Sequence, residues 1–297
     1  MRDDVGSVQP ARQPGRRLSR RACLAGLAAG GALLIGAPLA LWHAEQRLSV
    51  ERVTILPAGD PSTPCLTVAQ LSDLHVAHRG DARHLARAIE AVNALAPDLI
   101  VLTGDYVWRE AAAISLATPL LAGLRAPLGV YAVLGNHDLW TDRHTVIAGL
   151  EQAGVRVLVN QGLPLAQGGA SIYLAGLDDG MAGAPDLERA LAGHDGRAPV
   201  VLLWHEPDLG HEPVAQGRVW LHLAGHSHGG QVRLPGRGAL ILPPYAHRYD
   251  QGLYSVGPGW IYVNRGLGTT SVPLRLNCPP EITLLRLHPA PTQGVTS

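Results

Sequence analysis

The sequence contains neither lysine nor phenylalanine, so arginine supplies all 24 basic side chains other than histidine. We interpret this absence as a bias of composition rather than as a sign of particular chemistry. Acidic residues also number 24, which gives a formal net charge of zero. Nucleic-acid binding usually requires a concentrated basic surface. The balanced charge therefore gives no reason to expect a nucleic-acid partner.

Cysteine is also scarce, with three residues at positions 23, 65 and 278 and no Cys-x-x-Cys motif. The missing motif argues against a zinc site built from thiolates. Cys23 lies in the N-terminal segment described next. Cys65 and Cys278 can form a disulfide only if the fold brings them together, and their spacing does not decide this.

The chain has 297 residues, a length that allows one large domain or two small ones. Its N-terminal segment differs in composition from the rest. Six arginines fall between Arg2 and Arg21, and an uncharged apolar run follows from Ala22 to Trp42. That run, of about 20 residues, is long enough to cross a bilayer as a helix. The arginines would hold its start in the cytoplasm and place everything after it outside.

The sequence SRRACL at residues 19–24 resembles the twin-arginine export signal, in which paired arginines precede a mildly hydrophobic segment rich in glycine and alanine. An ordinary secretory signal and a plain membrane anchor are the alternatives. No clean small-x-small cleavage site follows, since Trp42 stands two positions before Ala44, so an uncleaved anchor is favoured. We expect residues 1–45 to engage the twin-arginine machinery and to leave the protein on the outer side of the cytoplasmic membrane, tethered or released.

Downstream of this segment, five apolar runs of strand-like length each end in Asp, Asn or His side chains. LTVAQLSDLH leads to Asp73 and His75, DLIVLTGD to Asp105, GVYAVLGNHD to Asn136, His137 and Asp138, PVVLLWHEPD to His205, and VWLHLAGHSH to His226 and His228. Ligands in layered α/β folds bind beyond the carboxyl ends of the strands, so we expect these side chains to converge. Their mixture of oxygen and nitrogen donors suits Mn, Fe, Zn or Co better than Ca or Mg alone.

A helix is predicted between the first two runs. Its N-cap is predicted at Asp81, and Pro97 is expected to stop it. The apolar residues that define its buried face are Leu85, Ala88, Ile89, Val92 and Leu95. Further along the chain, EITLLRL is predicted as a closing strand.

The ordered motifs resemble the calcineurin-like metallophosphoesterases, specifically their exported, membrane-linked YkuE-type branch. Asp-x-His, Gly-Asp, Gly-Asn-His-Asp, a lone His and Gly-His-x-His occur in that order, each at a predicted strand end. The resemblance covers residues 66–288, with a linker and first strand over 46–65 and a tail over 289–297. It implies an α/β fold, a four-layered α-β-β-α sandwich of two mixed sheets.

The resemblance also implies a role for each motif residue. Asp73, His75 and His228 would bind one divalent metal, and Asn136, His205 and His226 a second. Asp105 would bridge the two metals. His137 would stand above them as a proton donor or phosphate contact, and Asp138 would orient it.

These roles imply a metal-dependent phosphoesterase that takes two divalent ions, with Mn preferred and Fe, Zn or Co as alternatives. A hydroxide held between two ions about 3.5–4 Å apart can attack a phosphate ester whose charge the ions neutralise. A phosphodiester is the expected substrate, and anchoring favours a phospholipid or lipid-linked envelope compound. A phosphomonoester, a nucleotide-sugar-lipid pyrophosphate and, more remotely, a non-catalytic metal-binding sensor are the alternatives.

Several other polar and aromatic residues allow both a structural and a functional interpretation. His222 lies inside its strand and is interpreted as structural. His78 is interpreted as a solvated or rim residue, and among the histidines of that kind it is the best candidate to touch substrate. Arg233 and Arg265 can contact a phosphate, although surface or ion-pair roles are favoured. A last group can form a lipid-accepting rim, although core or loop packing is favoured for it: Trp108, Trp140 and Tyr245.

Overall fold

The computed structural model describes residues 47–56, 65–271 and 273–288. Within those ranges, no helix is both long enough and apolar enough to cross a bilayer. The predicted signal or anchor over residues 1–45 lies outside the described residues, as does the predicted tail over 289–297.

The first of two large sheets has six strands in the order β1-β14-β2-β3-β4-β5. The pairing of β14 with β2 is antiparallel and the other pairings are parallel. Its strands are β1 (Ser49–Ile55), β2 (Leu66–Leu71), β3 (Leu99–Thr103), β4 (Val130–Val133), β5 (Arg156–Val157) and β14 (Glu281–Leu287).

The second sheet also has six strands, in the order β12-β13-β9-β8-β7-β6, with antiparallel pairs at both edges and parallel strands between them. A separate two-stranded hairpin joins β10 (Arg233–Leu234) to β11 (Gly238–Ala239). The strands of the second sheet are β6 (Gln161–Gln167), β7 (Ala170–Gly176), β8 (Val200–Leu203), β9 (Leu221–Ala224), β12 (Gly252–Val256) and β13 (Gly259–Val263).

Alternate residues of the buried strands enter different layers, because successive side chains of a strand point to opposite faces. In β3, Leu99 and Val101 pack between the two sheets, whereas Ile100 and Leu102 pack against helices. In β8, Val201 and Leu203 face the central layer, and their neighbours face the helices beyond the second sheet. Three hydrophobic layers therefore separate helix, sheet, sheet and helix, and the predicted four-layered fold is confirmed.

The helices are short and lie on the outer faces of the two sheets. Those beside the first sheet are α1 (Arg79–Ala94), α2 (Ile114–Leu121), α3 (Asn136–Thr141) and α4 (Arg143–Gln152). Those beside the second sheet are α5 (Leu187–Leu191) and α6 (His211–Ala215). Short 3₁₀ turns cover Ala111–Ala113, Asp208–Gly210 and His228–Gly230.

The prediction that Asp81 is the N-cap of the first helix is wrong, because His78 has that position. The His78 ring nitrogen Nδ1 accepts from the backbone N–H groups of Gly80 and Asp81, at 3.2 and 3.3 Å. The Asp81 carboxylate in turn accepts the His78 backbone N–H at 3.0 Å. This reciprocal capping box uses the ring that the sequence suggested for substrate contact.

The two downstream cysteines lie at opposite ends of the first sheet. Strand β2 pairs antiparallel with β14, with Leu66 opposite Leu287 and Gln70 opposite Thr283. Cys65 precedes one end of this ladder and Cys278 precedes the other. The register therefore excludes a disulfide between the two residues.

Candidate metal centre

The side chains predicted to bind metal all follow strands whose carboxyl ends lie at one edge of the two sheets. At this edge, hydrogen bonds connect the two sheets directly. The His205 ring nitrogen Nδ1 donates to the carbonyl oxygen of Thr103 at 2.6 Å. The backbone N–H of His226 donates to both carboxylate oxygens of Asp73 at 3.1 Å. Side chains from separate β-α units are thus brought into one cluster, as expected for a parallel sheet.

The backbone at this edge turns through a conformation that side chains other than glycine rarely adopt. Five of the predicted ligands have positive φ values, between 44° and 67°. Such conformations cost about 1–3 kcal/mol each and persist only where surrounding contacts fix them. The residues are Asp73, His75, Asp105, His226 and His228.

Two glycines are required because a carboxylate approaches the backbone closely. A Cβ atom at Gly135 would overlap the carboxylate of Asp105, and one at Gly225 would overlap Ser72 and the carboxylate of Asp73. Any larger residue at either position would displace a predicted ligand. The glycines of the Gly-Asn-His-Asp and Gly-His-x-His motifs are therefore explained by space around the site.

One group of predicted ligands converges around the Asp73 carboxylate. The Oδ1 atom of Asp73 lies 3.2 Å from Nε2 of His228 and 4.0 Å from Nε2 of His75. The two Nε2 atoms are themselves 3.0 Å apart. One ligand atom from each of these three residues falls within 4.8 Å of the others, a spacing that suits a single bound cation.

Asp105 lies between this group and the ligands contributed by the second sheet. Its Oδ2 atom is 3.4 Å from Nε2 of His75 and 3.3 Å from Nε2 of His205. The His226 ring centroid is 5.0 Å from that of His205. Nε2 of His226 donates to the carbonyl oxygen of Pro244 at 2.8 Å, which leaves Nδ1 as its lone-pair atom.

The buried polar atoms of the cluster fit bound metal ions. Oδ1 of Asn136 and Nε2 of His205 are buried and make no hydrogen bond within the described structure. Leaving such an atom unsatisfied costs about 1–3 kcal/mol. Because Nδ1 of His205 donates to a carbonyl group, Nε2 is the nitrogen that carries the lone pair when the ring is neutral, as in most histidine ligands of metals. Both atoms are suited to bind a cation.

The charges of the cluster favour the same interpretation. Burial raises the pKa of Asp73 and of Asp105, but neighbouring imidazoles, His228 and His205 respectively, outweigh it, so both values lie below the usual range. Burial lowers the pKa of His75 to about 3. At neutral pH, Asp73 and Asp105 are ionised and His75 is neutral, as metal binding requires. Burial lowers the pKa of His205, but the Asp105 carboxylate outweighs it and holds the value well above the usual range, so a bound ion would have to replace the proton on this ring.

His137 is fixed in place by Trp108 and Asp105. Its Nδ1 atom donates to the Trp108 carbonyl oxygen at 2.8 Å, and the two rings stack with centroids 4.4 Å apart. Its backbone N–H donates to Oδ1 of Asp105 at 2.9 Å. The sequence contained no sign of this role for Trp108 beyond its position three residues after Asp105.

The prediction that Asp138 orients His137 is wrong. The Asp138 carboxylate instead accepts backbone N–H groups of Asp105, Tyr106 and Gly135 at 2.8–2.9 Å. Burial and then the charge of Asp105 raise the pKa of Asp138 to about 8. Asp138 therefore fixes the backbone that carries Asp105, without contacting the His137 ring.

Other sequence-based readings have mixed outcomes. The ion-pair roles are confirmed, since Arg233 pairs with Asp250 at 2.7 Å and Arg265 pairs with two glutamates. His222 is buried within β9, where Nε2 contacts the Trp204 carbonyl oxygen at 2.9 Å. Trp140 and Tyr245 do not lie in the core, since 58% and 44% of their surfaces are exposed. The Trp140 ring still packs edge-on against the His137 ring, with centroids 5.0 Å apart.

Arg275, a residue not singled out in the sequence, supports the Asp73 side of the site. It is fully buried, and its guanidinium donates to the carbonyl oxygens of Arg265, Gly266, Gly268 and Cys278 at 2.5–3.2 Å. The backbone N–H of Gly268 then donates to the Asp73 carbonyl oxygen at 2.7 Å. Arg275 thus holds the loop that supports a predicted ligand.

We expect Arg275→Met to lower the free energy of unfolding by about 3 kcal/mol, because several buried carbonyl groups lose their donor. Urea unfolding of the metal-loaded protein measures this change. Arg286→Met is the matched control, since Arg286 is exposed on β14 and its loss should cost less than about 0.5 kcal/mol. Equal destabilisation by both substitutions would contradict the supporting role of Arg275.

Comparisons with known proteins agree with this site. The chain matches the calcineurin-like phosphoesterase family over residues 66–238. It is 40% identical over 228 residues to the uncharacterized metallophosphoesterase YkuE of Bacillus subtilis (strain 168), which covers 74% of this chain and 78% of YkuE. It is 35% identical over 225 residues to the phosphodiesterase YaeI of Escherichia coli (strain K12), with 73% and 80% covered.

A more distant relative is the UDP-2,3-diacylglucosamine pyrophosphatase LpxG of Chlamydia trachomatis serovar D. It is 28% identical over an alignment of 337 positions, which includes 88% of this chain and 97% of LpxG. The family match includes all the strand ends from Asp73 to His228. With its clustered ligands and these relatives, the chain belongs to the calcineurin-like phosphoesterase family and is a hydrolase of phosphoric ester bonds.

Proposed function

We propose that this metallophosphoesterase hydrolyses phosphodiesters with two divalent metal ions, preferentially Mn. The observation that carries the proposal is the position of Asp105, whose Oδ2 atom lies 3.3–3.4 Å from imidazoles contributed by both sheets. One carboxylate can thus be shared by two ions. Asp73, His75 and His228 would hold one ion, and Asn136, His205 and His226 the other.

Ions held by this cluster would supply an activated water and would neutralise negative charge on the phosphate. The protein itself contributes the support of the Asp105 carboxylate and a proton for the leaving group. Asp138 holds the backbone around Asp105. His137 holds a proton for the leaving oxygen, with its ring fixed by the Trp108 carbonyl group and the stacked Trp108 indole. A general acid in this position contributes about 10²–10⁴-fold to the rate.

The phosphodiesterase YaeI supports a diester substrate for this chain at 35% identity. The pyrophosphatase LpxG supports a second candidate, hydrolysis of the pyrophosphate in a nucleotide-sugar lipid. Both reactions use the same attack on phosphorus, and they differ in the leaving group. We place the substrate among phospholipids or lipid-linked envelope compounds, on the outer side of the cytoplasmic membrane, because the N-terminal sequence predicts export with an apolar anchor.

Removal of metal should abolish hydrolysis reversibly. After chelation with EDTA, we expect less than about 1% of the activity to remain, because the chemistry depends on the ions. Separate addition of Mn, Zn, Fe or Co then tests which ion restores hydrolysis of bis-p-nitrophenyl phosphate, p-nitrophenyl phosphate and phospholipids. The proposal requires Mn to restore diester hydrolysis most fully. Metal binding with no turnover of any of these substrates would support a sensor instead.

Export should depend on the arginine pair at residues 20 and 21. A twin-arginine route requires the pair, whereas a general secretory signal tolerates lysine there. We expect the double variant Arg20→Lys/Arg21→Lys to remain inside the cell, as measured by fractionation and protease accessibility. The matched control Arg16→Lys/Arg17→Lys changes the neighbouring pair and should be exported. Continued export of the first variant would overturn the twin-arginine assignment and leave the anchor prediction intact.

A further inference from the structure

The segment that follows the last metal-ligand motif is fixed against the candidate metal centre. We call residues 233–245 the site hairpin, since they contain β10, β11 and the loop after them. Its Pro244 carbonyl oxygen accepts from the His226 ring at 2.8 Å. The Leu240 backbone N–H donates to the Val232 carbonyl oxygen, and the Tyr245 carbonyl oxygen accepts from the Asp208 backbone. The backbone is therefore held at several points beside the site.

The side chains of the site hairpin, in contrast, are apolar and exposed. Ile241 is 80% exposed and Leu240 is 52% exposed, and Leu234 and Tyr245 exceed one third. Half of the eight exposed large hydrophobic residues in the described structure lie in this short segment. A concentration of exposed apolar groups on an anchored backbone marks an interaction surface.

The charge around the hairpin restricts the kind of partner. No Asp or Glu occurs from Glu212 to Asp250, apart from those two residues, whereas Arg237 and Arg248 are exposed. Apolar side chains flanked by arginine and tyrosine suit the boundary between acyl chains and anionic headgroups.

The point where the chain enters the domain favours the same partner. Ser49 begins β1 and pairs with Glu281, and the Glu281 backbone N–H donates to Gly266, which packs against Asp73. The chain therefore enters the domain at the ligand edge. The predicted anchor ends at Trp42, and the six residues 43–48 span at most about 20 Å. An anchored chain would keep this edge close to the bilayer.

We propose that the site hairpin docks on the surface of an anionic lipid bilayer, with Leu240 and Ile241 inserted at the headgroup boundary. This inference rests on the proposed phosphodiesterase function and adds an internal membrane contact to it. The Pro244 carbonyl oxygen accepts a hydrogen bond from the His226 ring. A docked hairpin would therefore hold the candidate metal centre at the depth of the headgroup phosphates.

Fluorescence quenching tests the docking without depending on catalysis. A bimane label is attached to the full-length variant Ile241→Cys. The labelled protein is placed in vesicles of phosphatidylglycerol and phosphatidylcholine that contain doxyl-labelled lipid as the quencher. The signal of the labelled unmodified chain is subtracted as background. Leu56→Cys is the control, since Leu56 is 39% exposed and follows Ile55 at the opposite end of β1. We expect strong quenching at residue 241 and little at residue 56. Equal quenching at both positions, or none at residue 241, overturns the proposal.

Kinetics provide the second test. We expect Leu240→Ser/Ile241→Ser to lower hydrolysis of vesicle phospholipid by about tenfold, since the loss of buried apolar groups weakens binding. Hydrolysis of soluble bis-p-nitrophenyl phosphate and the Leu56→Ser control should be unchanged. Parallel loss on both substrates, or an unquenched label in a concentration-dependent dimer, overturns docking on lipid. If the unmodified chain hydrolyses neither substrate but residue 241 is quenched, the proposed function fails and the docking stands.

Discussion

Asp105→Ala should abolish the binding of both metals and lower the activity by more than about 100-fold. Substitution of a residue that only hydrogen-bonds to a metal ligand already lowers metal affinity or activity by about 10–100-fold. Oδ2 of Asp105 lies within 3.4 Å of one imidazole from each sheet, at 3.4 Å from His75 and 3.3 Å from His205. Its loss leaves neither group of ligands complete. Metal analysis after reconstitution with excess Mn measures the effect, and the unmodified chain should approach two ions.

The control for this substitution is Asp195→Ala, because the Asp195 side chain is 63% exposed and pairs only with Arg197 nearby. It should keep both ions and full activity. Circular dichroism establishes whether Asp105→Ala remains folded, which we expect because the change also removes one of several buried charges. A measured stoichiometry of zero or one ion per unmodified chain would contradict the two-metal mechanism.

His137→Ala should lower turnover by about 10²–10⁴-fold for a diester with a poor leaving group, and much less for an activated p-nitrophenyl ester. A poor leaving group needs a proton as the bond to phosphorus breaks, whereas p-nitrophenolate leaves with little help. Because Nδ1 of His137 donates its own proton to the Trp108 carbonyl oxygen, the proton for the leaving group would come from Nε2 of the imidazolium form. Metal content should stay at two ions, since the other ligands are retained.

The comparison of the two esters separates a proton donor from a phosphate contact. Equal losses on both esters would remove the proton-donor role and favour ground-state binding of the phosphate. His144→Ala is the matched control, because His144 is an exposed histidine on the neighbouring helix α4. It should leave both rates unchanged.

The positions of the predicted metal ligands at the strand ends could be read from the sequence because each depends on a local pattern. A buried strand reads as an apolar run, and the Asp or His at its end follows directly in the chain. Parallel strands then bring these ends to one edge of the sheet, so Asp73, Asp105 and His205 were expected to meet. The distances between them could not be predicted, since they depend on how the two sheets pack.

Hydrogen-bond partners were the least predictable feature, because they come from distant parts of the chain. The sequence paired Asp138 with its neighbour His137, yet its carboxylate binds the backbone of Asp105 and Tyr106. Trp108 holds His137 through a carbonyl oxygen, a group that every residue has. Its indole also stacks on the His137 ring, and the sequence indicated neither contact.

The sequence by itself determined the five strands that lead to the site, the residues at their ends and the chemistry that those residues allow, because these depend on residue type and periodicity. The tertiary structure decided which groups share Asp105, how Arg275 supports the Asp73 loop, and which apolar side chains stay exposed. Exposure and hydrogen bonding depend on which surfaces the packed layers cover. Ile241 is an apolar residue like many others in the sequence, and only the fold leaves it at the surface beside the metal centre.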